Sequence, residues 1–529
     1  MGTVTINSLT INNASGANNY GPFYNNQSII SVDLSNVPWT NNDMGSAFSG
    51  CNKLVTVTNI PPNITNMYNI FRGCTSMVDA PVLPNSVTTL GGTWYEGAFA
   101  FCSALVNAPI IPNSVTNMCF TFGGCRSLIN APIIPDSVTN MTYTFYGCSD
   151  LNSIPKVSNT AITLFSTFQN CIHLKTAPII PSSVTEIGVC FGSCTELAGD
   201  IYIYSSRIKS AANCFTNTTN SKNVYIPYNI SLGIYTDTYN SFRNAGYTTA
   251  GSPHGVYLKE NPAFEVAGDW WWCNYDGIIH KYLGTSTSLT FPNSINGIST
   301  AIVGNHTFYN QRGLTSINLN NIDIKGQLDH TFAACTNLTT ITNVPNLNNH
   351  GITEMIDTFA GCDVLTTMID PPYGVTTLQN TYAQCNRLSR YPVIPNTVTE
   401  INNLLYFCNL ASAGNQFNLP DSVVNIRSLT WSAQRIVNPF TLRIGKNVEV
   451  LGLGRMVFTG NVYIKSNKIT TLHDIPFAGT DRKNVYIPFT NTDGTPSATY
   501  STFRAAGYDS AGTINGVYLM NYTDLYSEY

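Results

Sequence analysis

The chain has 529 residues, 43% hydrophobic and only 10% charged, with a net charge of −4. Charged residues usually make up roughly 25% of a globular domain, but the apolar share here is ample for a core, so low-charge disorder is not expected. No basic run and no apolar stretch of about 18 residues is present, so neither nucleic-acid capture nor membrane insertion is expected. At the N-terminus, MGTVTINSLT lacks the basic and apolar regions of a signal peptide, and Ile6 stands where myristoylation of Gly2 would need Ser or Thr. The expectation is a product of the cytosol without a leader.

Repeats dominate the rest of the chain. The cleanest unit, LVNAPIIPNSVTNMCFTFGGCRSL, begins at Leu105, and LINAPIIPDSVTNMTYTFYGCSDL comes next. The shared frame is Phe-x-x-Cys-x-x-Leu followed by Ala-Pro-x-Ile-Pro-x-Ser-Val-Thr. Its aromatic positions are Phe48, Phe71, Phe99, Phe122, Phe145, Phe168 and Phe191, and five of the six intervals are 23 residues. The sixth, of 28, implies an insertion, best placed at GGTWYEG. Phe23 in PFYNNQSII matches Phe308 in TFYNQRGL and sets the start of the array. A repeat of this length means a solenoid, whose coils bury apolar faces only against one another. Leu105, Ala108 and Ile110 have the spacing of a short inward strand, interrupted by Pro109 and Pro112. Val115, Met118 and Phe122 suit either a helical turn or a second strand.

The segment NVYIPYNISLGIYTDTYNSFRNAGYTTAGSPHGVYL begins at Asn223 and returns at Asn484, with 19 of 36 positions identical. In it Val-Tyr-Ile-Pro reads as a strand, Thr238 as the N-cap of a short helix ended by Gly246, and Gly255-Val-Tyr-Leu as another strand. Thr499 and Gly507 repeat the scheme. An array needs an end that hides its last apolar face, so the cassette is expected to be a cap. Trp270, Trp271 and Trp272 lie between the halves. Adjacent strand residues alternate faces, so they form either a two-sided packed strand or an exposed aromatic platform for a sugar or protein. A second array has markers Phe308, Phe332, Phe359, Tyr382 and Leu405. The cassettes are offset by 261 residues and the array starts by 285, so the halves are duplicates that differ by about one coil.

Val-Thr-Asn-Met-x-x-x-Phe-x-Gly-Cys-x-x-Leu resembles the BspA-type leucine-rich repeat of bacterial and protist surface proteins. The segment from Asp276 resembles the strands that lead into such arrays. The resemblance implies a β-rich leucine-rich repeat solenoid in two tandem arrays, each ended by a small strand-helix-strand cap. The expected parts are a first array at 1–222, a capping cassette at 223–262 and lead-in strands at 263–303. A second array at 304–483 and a second cassette with tail at 484–529 complete the chain. Adhesion and host-surface binding are what this family implies, with no shared catalytic residues. The cassettes also resemble ones in tailed-phage virion proteins of gut bacteria.

Eleven cysteines occupy one repeat position, from Cys51 to Cys408, and in register they would sit one strand spacing apart with parallel Cβ vectors. That geometry is wrong for disulfides, so they read as a ladder of buried thiols. Cys119, Cys190, Cys214 and Cys273 lie off it. No His-x-x-x-His pattern, Walker loop or Gly-x-Ser-x-Gly is present, and Gly452-Leu-Gly454 lacks the third glycine of a dinucleotide fingerprint. No catalytic, metal or cofactor residues are assigned, and no cofactor is expected. Arg126, Asp150 and His173, beside the Cys turn, are expected to be exposed. The tail tyrosines Tyr522, Tyr526 and Tyr529 read as a packed or frayed terminus. The expectation is a non-enzymatic, phage virion-associated adhesin, exposed to the extracellular medium. It would bind a bacterial cell-surface glycan or protein and contact other virion proteins, with a homo-oligomer possible by analogy with phage fibres. The alternatives are a virion decoration or spacer without a cell ligand, and a glycan-cleaving enzyme, for which two of the carboxylates, scattered in sequence like Asp363 and Asp370, would have to converge in the fold.

Overall fold

The computed structural model describes residues 4–5 and 21–522, apart from 36, 38, 40, 93–94, 155, 252–253, 303, 325–326, 350, 409–415, 430–440, 454–460, 474–482, 513 and 515. Gly2, Ile6, Gly454, Tyr526, Tyr529 and part of the 91–97 insertion therefore lie outside the described residues. The chain forms two compact units, Met1–Phe264 and Glu265–Tyr529.

Each unit is a stack of coils around a column of aromatic rings. In the first unit Phe23, Phe48, Phe71, Phe99, Phe122, Phe145, Phe168, Phe191 and Phe215 stack with centroids 5.0–5.8 Å apart. Phe215 extends the sequence series by one coil. In the second unit Phe308, Phe332, Phe359 and Tyr382 stack at 5.3–5.6 Å. Offset parallel rings at this distance gain contact beyond the area they bury.

The segment through Val115, Met118 and Phe122 is neither helix nor strand but a run of tandem β-turns. Thr121 N–H donates to the Met118 carbonyl (3.1 Å), Gly123 to Phe120 (3.0 Å) and Cys125 to Phe122 (3.0 Å). In most coils two residues are left-handed: the one two before the core aromatic and the one before the cysteine, such as Phe120 (φ 54°) and Gly124 (φ 77°). A turn whose third residue has positive φ favours Gly or Asn there. Between coils the Phe122 N–H donates to the Thr144 carbonyl and Phe145 to Thr167, both at 2.9 Å.

Polar side chains reinforce the stack. Thr144 and Thr167, beside the core rings, donate to the Met118 and Met141 carbonyls. Ser137 and Ser183 donate to Val115 and Ala161. The ladder cysteines do the same: Cys125 Sγ donates to the Phe99 carbonyl at 3.0 Å, Cys148 to Phe122 at 3.1 Å and Cys335 to Phe308 at 3.0 Å. All fifteen cysteines are free thiols.

The proline-flanked strand departs from its expected orientation. Leu105 is buried, but Ile110 is 91% exposed and Ile111 takes the inward place. Neither Pro109 nor Pro112 can donate a ladder bond, and pairing shrinks to single bridges such as Asp79 with Asn107.

Both cassettes close their stacks as caps. Gly199–Tyr202, Lys222–Ile226 and Val256–Glu260 form a parallel sheet, with the helix Asp237–Asn244 crossing between its last two strands. The helix brings Phe242 and Tyr247 over Phe215, and the Tyr247 hydroxyl accepts from the Phe215 N–H at 3.0 Å. Thr236, not Thr238, is the N-cap, accepting from the Tyr239 N–H at 3.2 Å. Thr238 is buried and ties the helix to the previous coil, donating to the Ser205 carbonyl and accepting from the Ile208 N–H. In the second copy Ser497 caps Ala498–Ala505 while Thr499 takes the buried role. Gly246 and Gly507, both at φ 88°, end the helices left-handed.

Candidate ligand-binding surface

The three tryptophans form the strand Trp270–Cys273, paired with Ile278–Tyr282. All three are buried. Trp270 packs on Tyr282 (5.0 Å) and Phe291 (4.8 Å) at the foot of the second aromatic column, and Trp272 joins the same core. Trp271 meets the edge of His280 at 5.7 Å. Both faces of the strand are covered, so Trp270, Trp271 and Trp272 present no exposed platform. Asp370 is held bidentately by Arg390 (2.7 and 2.6 Å), and Asp363 accepts from Asn386 of the next coil. Among the described residues no group of His, Cys, Asp and Glu is placed to hold a metal ion. Arg126, Asp150 and His173 are exposed, and His173 lies 3.6 Å from Asp150 and 3.8 Å from Glu196.

A second aromatic cluster lies outside the column of the first unit, on its turn face. Phe120 is its centre, 5.0 Å from Tyr95, 5.6 Å from Phe101, 6.2 Å from Tyr143 and 5.9 Å from Tyr146. Tyr143 continues the row to Phe165 at 5.5 Å. Phe120 is fully buried under its neighbours, Tyr95 is 44% exposed and the others are half-buried. The Arg72 guanidinium lies 5.2 Å over the Phe101 ring and donates to the Tyr95 carbonyl. The insertion builds one wall: Gly91 bridges Gly97, and Tyr95 reaches the cluster from this excursion. A Cβ at Gly97 would collide with the Phe120 backbone, and one at Gly123 with its ring.

Four of these residues are left-handed: Tyr95 (φ 69°), Phe101 (60°), Phe120 (54°) and Tyr143 (56°). An L-residue pays roughly 1–2 kcal/mol for that conformation, less for Asn. Phe120 and Tyr143 lie in the row two before the core aromatic, which in other coils holds Asn69, Asn213, Asn380 and Asn403 but also Ser46, Ser166, Val189, His306, His330 and Asp357. Phe120 and Tyr143 are held there at a cost relative to Asn, as is Val189 two coils on from Tyr143. Sequence reading missed the cluster because it followed the positions that stay constant. The available signal was aromatic residues flanking the core Phe in three successive units, FAFC, CFTF and TYTFYG, next to the insertion.

In the second unit the corresponding row holds a smaller ring group, with Tyr309 5.4 Å from His306 and 6.4 Å from His330. His306 and His330 stack there at 4.7 Å, and His330 Nε2 lies 3.3 Å from Asp357 of the next coil. Elsewhere in that unit a cleft of about 430 Å³ is lined by Tyr391, Phe417, Asp421, Arg443 and Lys465, among others.

Stacked short coils, turn-built faces and capped ends define a leucine-rich repeat solenoid of β class. The family model described as "BspA type Leucine rich repeat region (6 copies)" matches residues 19–141, 119–245 and 281–386, and the chain belongs to this family. No curated protein matches the chain. Solved structures that are similar include a leucine-rich repeat protein from Bacteroides ovatus, 18% identical over 74% of this chain and 88% of that one (TM-score 0.32). A leucine rich repeat protein of T. pallidum is 21% identical over 47% and 97% (TM-score 0.22). A leucine rich cell surface protein from Faecalibacterium prausnitzii is 18% identical over 75% and 79% (TM-score 0.20). Among the described residues no helix is long and apolar enough to cross a membrane.

Proposed function

We propose that this chain is a non-enzymatic recognition protein, a phage virion-associated adhesin that binds a glycan or protein on the surface of a gut bacterium. The observation that carries the reading is the outer aromatic cluster, maintained against backbone strain and away from the core it does not serve. The surrounding surface, rich in Asn, Thr and Ser and poor in charge, offers neutral hydrogen bonding around it. The likeness of the capping cassettes to phage virion segments supports attachment to a particle. The test is flow cytometry of the labelled full-length protein on a panel of intact gut bacteria. Saturable, strain-specific binding is expected. A folded protein that binds no strain would leave a structural virion component as the better reading.

A further inference from the structure

We infer that the cluster of Tyr95, Phe101, Phe120, Tyr143 and Tyr146 is the ligand site, and that its ligand is a neutral glycan stacked along the row. The inference rests on the recognition reading and narrows it to one surface and one chemistry. Sugar rings present C–H faces that pack on aromatic rings, and hydroxyls that need neutral donors and acceptors at the edge. The cluster supplies both. Tyr95, Phe101, Tyr143 and Tyr146 are the accessible rings, Phe120 supports them from beneath, and the three tyrosines carry phenolic hydroxyls. The row is continued by Asn69 in an earlier coil and Ser166 in a later one, at the same left-handed position.

Charge points the same way. Arg72 and Glu96 contribute one charge of each sign, and Arg72 is already engaged over Phe101 and on the Tyr95 carbonyl. An acidic polysaccharide would require a surplus of cations here. A peptide would find no strand edge, because the coils on either side already bond to each other: Phe120 N–H donates to the Thr142 carbonyl and Tyr143 N–H to Phe165. The ligand site is therefore a shallow side-chain surface rather than a backbone-reading groove. It runs along the stacking direction across coils at about 4.8 Å per step, which suits an extended chain of sugars.

The test uses the full-length protein on an array of neutral microbial polysaccharides, together with intact cells treated by periodate or by protease. Binding to at least one neutral polysaccharide is expected, with loss of cell binding after periodate and retention after protease. Tyr143→Asn and Phe101→Asn should each weaken binding at least tenfold, while Tyr373→Ser, an exposed tyrosine of the second unit, should leave it unchanged. Both cluster variants should melt no lower than the parent, because Asn suits the left-handed backbone. A merely structural cluster would instead lower the melting temperature when cut. Cell binding that survives periodate and fails after protease, or that both variants retain, overturns the glycan site while recognition stands. Absence of binding to array and cells alike overturns both readings.

Discussion

In the first unit the bonding row between coils is made of isolated bridges through Asn66, Thr89, Asn117, Asn140, Thr163 and Glu186. In the second the same row is a six-stranded parallel sheet that includes Glu354–Ile356, Thr377–Gln379 and Glu400–Asn402. In some coils of the first unit a side-chain bond accompanies the difference. Asn117 Oδ1 accepts from the Cys119 N–H at 2.9 Å, and Asn140 Oδ1 from the Thr142 N–H at 3.0 Å. A short polar side chain thus turns the backbone inward where a strand would continue. In the second unit Glu354, Thr377 and Glu400 continue a ladder, whereas Glu186 in the first forms only bridges, so the length of this one side chain does not by itself set the difference. The first unit therefore relies more on its rings and thiols, and the second on its sheet.

Alkaline pH should separate the two most strongly. Burial pushes the thiols of Cys102, Cys194 and Cys335 up from the ordinary 9.0 to about 12. A thiol whose value is raised in the fold supports it fully below pH 9 and withdraws that support as pH rises from 9 towards 12. Each tenfold gain in proton affinity on folding is worth about 1.4 kcal/mol per thiol. The first ladder holds seven such cysteines, Cys51 to Cys194, and the second four, Cys335 to Cys408. Pulse alkylation followed by peptide mass analysis should find every ladder thiol protected at pH 7.5. At pH 10.5 the first ladder should be labelled ahead of the second. Labelling in the reverse order would break the comparison.

Removal of a core ring comes next. Phe122→Ala and Phe359→Ala each delete a fully enclosed ring and should lower stability by about 3–5 kcal/mol, read as a fall in the urea midpoint. A much smaller loss at Phe359 would show that strands carry the second unit. A reciprocal swap sharpens the turn-row contrast: Asn380→Tyr should cost roughly 1–2 kcal/mol, since Asn380 is left-handed at φ 48°. A neutral result would remove the strain argument for the aromatic cluster. The smallest effect belongs to the caps, where Thr236→Ala and Ser497→Ala should each cost about 1 kcal/mol. Equal losses in thermal melts would confirm that the two cassettes are held alike.

What could be read in advance was whatever recurs. The Phe and Cys columns stood out because one spacing repeats through both halves, and burial alone explains a residue kept at one spacing. The caps were legible through their duplication, although Thr236 and Thr238 are both competent N-caps by type and only packing against Ser205 and Ile208 tells them apart. Ile110 and Ile111 posed the same difficulty: two apolar neighbours between prolines, with the direction of each set by a backbone that no longer alternates. The aromatic cluster stayed hidden because Tyr95, Phe101, Phe120 and Tyr143 sit at variable positions, and only stacking brings them together. The tryptophan run drew attention by its composition, yet side chains packed on both faces of its strand consume it.

The bonds that join successive coils also set how each unit yields to force. They run along the stacking direction, and each coil touches only its neighbours. A pull along that direction loads the coil junctions in series, so one junction opens while the rest stay closed. Each opened coil then releases some 23 residues of slack before the next junction bears the load. The stack would behave as a tether that lengthens in steps under drag rather than one that snaps.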